Sequence, residues 1–162
     1  MGAGVITEDC AMAVSAEQLW KAAFSPDAST QQKAFAGMVD AVEIKGDGGP
    51  GSLITMKFNP SVGEATAMTS RLVVRDEAAG VISWDEVAVA GDKVAAQLKP
   101  QVVQVKVVPA GEGACVAKLT VEYERLDGAP LPPADQAKLV KSFVGIIKTA
   151  EGNIAAHPAK FA

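Results

Sequence analysis

Hydrophobic and polar residues alternate along most of the chain before the prolines at 130, 132 and 133, which predicts a protein built mainly of β-strands. The alternation over residues 5–14 predicts the first strand. Further strands are predicted over 39–45 and 52–58, and around cores at 69–74, 81–89, 102–108 and 115–123. Each of the breaks at 77–80, 90–92 and 109–113 contains glycine. Consecutive strands joined by such short turns favour an antiparallel sheet.

Two short helices are predicted between the first and second strands. Ser15 is a candidate N-cap, and Leu19, Trp20 and Phe24 give the next residues a short apolar face. Pro26 ends that helix, and residues 27–36 predict the second one. Pro100 interrupts the stretch 94–108, which indicates a bulge or an edge position there.

The hydrophobic period changes after the proline cluster. Apolar residues then fall at helical spacing, at Leu139, Phe143, Ile146, Ile147, Ala150 and Ile154, which predicts a long helix over 134–155. Its apolar face must be buried, and the concave face of the sheet is the available partner. We therefore predict a single α+β domain over 1–162, in which a seven-stranded antiparallel sheet wraps around a long C-terminal helix.

Composition and charge exclude several classes of function. The chain has 162 residues and a net charge of -4, which argues against binding nucleic acid or an anionic membrane through bulk charge. A single histidine rules out a two-histidine metal site, and Cys10 and Cys115 lie far apart without a CxxC motif. We expect no metal and no cofactor. Neither a signal peptide nor an apolar run of membrane-spanning length is evident, so we expect a cytoplasmic, monomeric protein.

A glycine-rich loop lies between the second and third predicted strands. It consists of Gly46, Asp47, Gly48, Gly49, Pro50 and Gly51, and it satisfies the pattern GxGxxG. The residues that follow alternate as a strand and do not open a helix, so a dinucleotide site is not indicated. The loop is either a rigid connection without a ligand or an anion-binding nest of backbone amides.

This loop and the end of the chain carry a resemblance to a known family. Residues 46–51 match a hallmark loop, and residues 150–158 end in the expected Ala156-His157-Pro158. On these grounds the chain resembles the plant pathogenesis-related class ten proteins, the Bet v I family of the birch-pollen allergen, over essentially its whole length. The resemblance implies a START-like helix-grip fold with an internal apolar cavity. It also implies a defence-related protein that binds apolar metabolites such as flavonoids, cytokinins or fatty acids.

Strand phase and helical spacing predict which side chains face that cavity. They are Phe24, Phe58, Ala67, Ile82, Trp84, Val103, Val105, Leu119, Tyr123, Leu139, Phe143 and Ile146. Alanine and valine are prominent among the inward positions, and aromatic residues make up only 5% of the chain. Small side chains leave space, so either the cavity is wide or the helix packs closer to the sheet. A binding module for an apolar small molecule is the leading hypothesis.

The alternative is an enzyme of specialised metabolism that works in the same cavity, as alkaloid-forming members of the family do. Glu86 shares the phase of Ile82 and Trp84, and an inward, desolvated carboxyl would have the raised pKa of a useful base. A bulge near Asp85 would instead return Glu86 to solvent. Tyr123 is either an acid or hydrogen-bond donor for this chemistry, or a buried tyrosine with a structural role.

Two further alternatives are weaker. The ribonuclease site that the family resemblance would supply is matched only by Glu151, because Asn153 and Ile54 stand where a tyrosine and a lysine are expected, and no glutamate lies within 95–99. A lone carboxylate cannot provide both acid and base. A regulatory protein whose rim loops at 59–63 and 90–92 bind a partner once the cavity is filled is the remaining possibility.

Overall fold

The computed structural model describes residues 3–161 as one antiparallel sheet wrapped around a long helix. The strands are β1 (Ala3–Met12), β2 (Val39–Lys45), β3 (Leu53–Phe58), β4 (Ala67–Asp76), β5 (Val81–Ala90), β6 (Val102–Pro109) and β7 (Cys115–Glu124), and the helices are α1 (Ala16–Ala22), α2 (Ala28–Ala34) and α3 (Pro133–Ala156). The strand order in the sheet is β1-β7-β6-β5-β4-β3-β2. The predicted helix-grip fold is confirmed.

Side chains fix where the two short helices begin. Ser15 caps α1 in a capping box: its hydroxyl accepts from Gln18 N at 3.1 Å, and Gln18 Oε1 accepts from Ser15 N at 2.8 Å. Asp27 caps α2 by accepting from Thr30 N at 2.9 Å, so the residue predicted to begin that helix is its N-cap. These caps fix the first turn of each helix on the two sides of the α1–α2 connection.

Two irregularities in the β4–β5 pairing change which residues face inward. Ser70 pairs with Glu86 while Thr69 pairs with Ala88, which leaves Val87 as an extra residue on β5. Val73 is the corresponding extra residue on β4. The bulge at Val87 therefore follows Glu86 and does not return it to solvent. The side chain of Glu86 stays buried on the inner face of the sheet.

The chain between β5 and β6 differs from the expectation for Pro100. Residues Ala95–Gln97 form a short 3-10 helix, and β6 begins only at Val102, so Pro100 lies outside the strands. The backbone N–H of Glu86 donates to the carbonyl of Gln101 at 2.8 Å, which continues the pairing of β5 just before β6 begins. Pro100 lacks an N–H, and its position outside the ladder fits that property.

Helix α3 closes the sheet and is tied to its edge strand. Its buried residues are Leu139, Val140, Phe143, Ile147, Ala150 and Ile154. Glu151 Oε2 accepts from the backbone N–H of Ala13 at 2.6 Å, and Lys148 Nζ donates to the carbonyl of Ala11 at 2.6 Å. These bonds fix the C-terminal half of α3 against the end of β1, opposite the part of the helix that borders the cavity opening described below.

Candidate ligand-binding cavity

An apolar cavity lies between the inner face of the sheet, helix α3 and the α1–α2 connection. The centre of a water molecule can occupy about 70 Å³ of it. Its wall is formed by Leu19, Ala23, Phe24, Ser25, Pro26, Gln31, Phe35, Ile44, Gly48, Ile54, Met56, Met68, Ser70, Leu72, Arg75, Ile82, Trp84, Leu119, Phe143, Ile146 and Ile147. The few polar side chains in this wall would orient a bound molecule, and the apolar ones would hold it.

A wider groove of about 760 Å³ adjoins this inner cavity. The groove is bounded by the loop around Gly63, by residues 92–97 and by the N-terminal half of α3. Met68, Phe143 and Ile146 line both spaces, so the groove is the mouth of the inner cavity. Its rim is charged, whereas the inner wall is apolar.

The predicted cavity residues divide into three groups. Those that line the inner cavity are Phe24, Ile82, Trp84, Leu119, Phe143 and Ile146. Phe58 and Leu139 line the mouth. Val103 and Val105 are fully buried in the packing of the sheet and line neither space, which corrects their assignment as ligand contacts.

Ala67 also differs from the expectation. It pairs with Lys57 on β3, and the inward residues of β4 alternate from Met68 through Ser70 to Leu72. The inward face of β4 is therefore one residue out of phase with the prediction. Because side chains repeat every two residues, a shift of one residue moves a position to the opposite face of the sheet.

Glu86 is 2% exposed and lies behind the cavity wall, between Ser70 and Trp84. Ser70 Oγ donates to Glu86 Oε1 at 2.7 Å, and the buried Glu86 Oε2 has no hydrogen-bond partner within residues 3–161. Burial raises the pKa of Glu86 to about 7, and the Ser70 hydroxyl and the nearby Trp84 indole only partly oppose that effect. The indole N–H itself lies outside hydrogen-bonding geometry. Near neutral pH both the protonated and the ionised form of this carboxyl are therefore populated.

Tyr123 stands apart from this carboxyl. It lies on β7, which β6 separates from β5, and its ring packs over Gly4 of β1. A Cβ atom added to Gly4 would lie 2.4 Å from the Tyr123 hydroxyl oxygen, so the ring occupies the space that a side chain would need. Tyr123 lines neither the inner cavity nor the mouth. The structure thus does not bring Tyr123 and Glu86 together as an acid and base pair.

Two polar residues of the inner wall were not among those predicted to face the cavity. Gln31 comes from α2 and Arg75 from the end of β4. Both lie outside the apolar positions from which the cavity was predicted. The second bulge, at Val73, changes the phase of β4 before Arg75, and no pattern in the sequence marks it.

The glycine-rich loop is a rigid connection whose amides are largely used within the protein. Gly48 N donates to Ser52 Oγ at 3.0 Å, and Gly49 N donates to Asp47 Oδ1 at 2.8 Å. Gly51 N donates to the carbonyl of Leu72 at 2.8 Å. A Cβ atom on Gly48, whose φ is +87°, would lie 2.6 Å from Pro26 Cβ. These contacts favour the ligand-free alternative, in which the loop supports the α1–α2 connection.

The residues left from the ribonuclease alternative serve the fold. Both carboxylate oxygens of Glu151 are engaged, by Ala13 N and by Lys148 Nζ at 3.2 Å. Asn153 Nδ2 donates to the carbonyls of Ala34 and Ala36 at the end of α2. Neither side chain lines the cavity or its mouth.

Residues 3–161 contain no cluster of three or more histidine, cysteine, aspartate or glutamate side chains arranged to hold a metal ion. Cys10 and Cys115 are buried free thiols, and burial raises the pKa of each. In the same part of the chain, no helix has both the length and the apolar character needed to cross a membrane.

Comparisons with known proteins agree with the fold. The family model "Pathogenesis-related protein Bet v 1 family" matches residues 1–153. The chain is 30% identical over 133 residues to major allergen Api g 1, isoallergen 1, of Apium graveolens, covering 82% of this chain and 84% of that protein. It is 28% identical over 133 residues to major allergen Dau c 1 of Daucus carota, with the same coverage.

Two solved structures illustrate the range of proteins that share this fold. Ara h 8.0201 has a TM-score of 0.77 and 21% identity, covering 96% of this chain and 99% of its own. Norcoclaurine synthase from Thalictrum flavum, solved with dopamine and hydroxybenzaldehyde, has a TM-score of 0.67 and 22% identity, covering 96% of this chain and 87% of its own. Taken with the family match over almost the whole sequence, these findings show that the chain belongs to the pathogenesis-related protein Bet v 1 family.

Proposed function

We propose that this protein binds an apolar or amphipathic small molecule in the inner cavity, as an intracellular carrier linked to plant defence. The observation that carries the proposal is the cavity itself: its wall is mostly aliphatic and aromatic, and it joins a wider, charged mouth through which a ligand would enter. Burial of the ligand would supply most of the affinity, at about 25 cal/mol per Å² of apolar surface. The defence link is an inference from the family.

Native mass spectrometry tests this proposal. The protein is incubated with a panel of flavonoids, cytokinins, fatty acids and aromatic amine–aldehyde pairs, and the bound and released masses are both measured. We expect an adduct whose ligand mass is unchanged. A matched pair of variants locates the site: Ala23→Phe fills the inner cavity, whereas Ala78→Phe adds the same ring at an exposed turn. Adducts that persist in A23F at the level of A78F would place binding elsewhere.

A second candidate function is an enzyme that uses Glu86 as its base. The observation that favours it is the buried Oε2, which has no partner in the described part of the chain and belongs to a carboxyl that is bonded to a cavity-lining serine and has a pKa of about 7. The position of Tyr123 does not support its proposed acid role. The hydroxyl of Ser70 already donates to Glu86, so the Trp84 indole N–H, which has no partner within residues 3–161, would be the hydrogen-bond donor instead. The fold shared with norcoclaurine synthase allows such chemistry without assigning it.

The same experiment separates the enzyme from the carrier. A new product mass from an amine–aldehyde pair would indicate turnover, and we then expect Glu86→Gln to abolish the product while the unchanged amine still binds. The substitution keeps the size of the side chain and an oxygen that can accept from Ser70, but it removes the ability to take up a proton. Product formation at the original rate in E86Q would eliminate Glu86 as the base.

A further inference from the structure

The end of the inner cavity furthest from the mouth contains a polar pair, Gln31 and Arg75. Strand β4 runs from Met68, which lines both spaces, to Arg75, which lines only the inner one. Gln31 Nε2 donates to the carbonyl of Ser25 at 2.6 Å, and Arg75 Nη1 donates to the carbonyl of Phe24. Because these carbonyls belong to consecutive residues, Gln31 and Arg75 are held side by side at the same part of the wall.

Gln31 presents an acceptor that the protein does not satisfy. The residue is 4% exposed, its amide nitrogen is used by Ser25, and Oε1 has no hydrogen-bond partner within residues 3–161. Buried polar atoms are nearly always paired, and an unpaired one in a cavity wall calls for a donor from whatever fills the cavity. The bond to Ser25 fixes the amide orientation, so the oxygen cannot exchange places with the nitrogen without losing that bond.

Arg75 presents donors and a positive charge that takes part in no ion pair within residues 3–161. Its guanidinium lies 5.2 Å from the centre of the Trp20 ring and donates through Nη1 to Phe24. Within the described part of the chain, the ion pairs join other side chains and none includes Arg75. A guanidinium has five N–H donors, so several remain for a ligand once the Phe24 carbonyl is satisfied.

We infer that the ligand carries a neutral hydroxyl group at this end of the cavity, on an aromatic or alicyclic body that fills the apolar part. A hydroxyl oxygen accepts from Arg75 while its proton is donated to Gln31 Oε1, so a single group satisfies both residues. The inference rests on the proposed binding function and specifies the ligand class for that site.

Other polar groups fit this pair less well. A carboxylate accepts from Arg75 but has no proton for Gln31, and it brings negative charge against the amide oxygen. An ether oxygen accepts only, which leaves Gln31 unpaired. An ammonium group would donate to Gln31 but repel the guanidinium. A site that can hydrogen-bond a hydroxyl discriminates against analogues without one, because its own buried polar atoms then remain unpaired.

Isothermal titration calorimetry with three bicyclic probes tests the inference on the full chain. The probes are 2-naphthol, 2-methoxynaphthalene and 2-naphthoate, which share one apolar body. At about pH 6 the phenolic hydroxyl stays neutral, since phenols ionise near pH 10, and the carboxylate is charged. We expect 2-naphthol to bind roughly tenfold more tightly than 2-methoxynaphthalene, which is the scale of about one well-formed hydrogen bond, and more tightly than 2-naphthoate.

Two variants then assign the preference to the polar pair. Gln31→Met and Arg75→Met each replace a polar side chain by an unbranched apolar one. In each variant the ratio of the affinities for 2-naphthol and 2-methoxynaphthalene should fall close to one. Met56→Leu changes the apolar wall without altering the pair, so it should shift the three affinities together and leave their ratios unchanged.

The outcomes separate failure of this inference from failure of the proposed function. Equal binding of 2-naphthol and 2-methoxynaphthalene by the unmodified protein, or tightest binding of 2-naphthoate, would overturn the inference while leaving cavity binding intact. A hydroxyl preference that survives in both Q31M and R75M would also overturn it. Binding of none of the three probes would count against the cavity as a ligand site and would remove both proposals.

Discussion

At the scale of single residues, Glu86 couples the stability of the protein to pH. Its pKa in the folded chain is about 7, above the ordinary value of 4.5. Below the ordinary value both folded and unfolded chains hold the proton. Between the two values only the folded chain keeps it, so the free energy of unfolding falls as pH rises through this window and levels off above about pH 7.

The expected loss is roughly 3 kcal/mol, and it is absent from a variant that does not ionise. Urea unfolding of the unmodified protein and of Glu86→Gln, at several pH values from about 4.5 to 8, measures the difference. E86Q should gain stability relative to the unmodified protein as pH rises. Glu122→Gln, at an exposed position on β7, serves as the control. Parallel pH profiles for E86Q and the unmodified protein would mean that Glu86 titrates as an ordinary carboxyl.

At the scale of elements, the helix and the edge strand are joined by a clasp at Lys148 and Glu151. Glu151→Ala removes the acceptor of the Ala13 N–H and the partner of Lys148. Because the carboxylate is partly screened by solvent, we expect a loss of about 1–2 kcal/mol in the free energy of unfolding, measured with urea. Glu122→Ala should change stability by no more than a few tenths of a kcal/mol. Equal effects of the two substitutions would show that the clasp adds nothing.

The elements themselves could be predicted from the sequence, because each one carries a local signal. The alternation that marks β2 ends where the strand ends, and the capping residues Ser15 and Asp27 identify the starts of α1 and α2. The facing of side chains along β4 could not be predicted in the same way. It depends on its register with β3 and on the extra residue at Val73, neither of which has a signature in composition or period.

The candidate site shows the same division. Phe143 and Ile146 follow from helical spacing, and Ile82 and Trp84 from strand alternation. The polar pair does not follow from either pattern. Arg75 is held by a bond to Phe24, 51 residues away in the chain, and Gln31 by a bond to Ser25, which lies outside α2. The prediction that Tyr123 lines the cavity differs from the structure for a related reason. Gly4 on the neighbouring strand leaves a space, and the Tyr123 ring fills it.

At the scale of the whole molecule, small inward side chains could leave a wide cavity or let α3 pack closer to the sheet. The volumes of the two spaces show where the room lies. The inner cavity is small, about 70 Å³, because methionines and large aliphatic residues close it. The larger space, about 760 Å³, lies at the mouth, where loops meet the first half of α3. The molecule is therefore closely packed at the clasped end of the helix and open at the other.

The placement of the two tryptophans gives the protein an optical readout of its own. Trp84 lies in the wall of the inner cavity, and Trp20 is stacked on the Arg75 guanidinium and edge-on to Phe24 at 5.4 Å. With a single tyrosine besides, nearly all of the intrinsic emission originates beside the ligand space. Any aromatic compound that enters the cavity should quench or shift that emission, so candidate ligands can be screened in solution without a label.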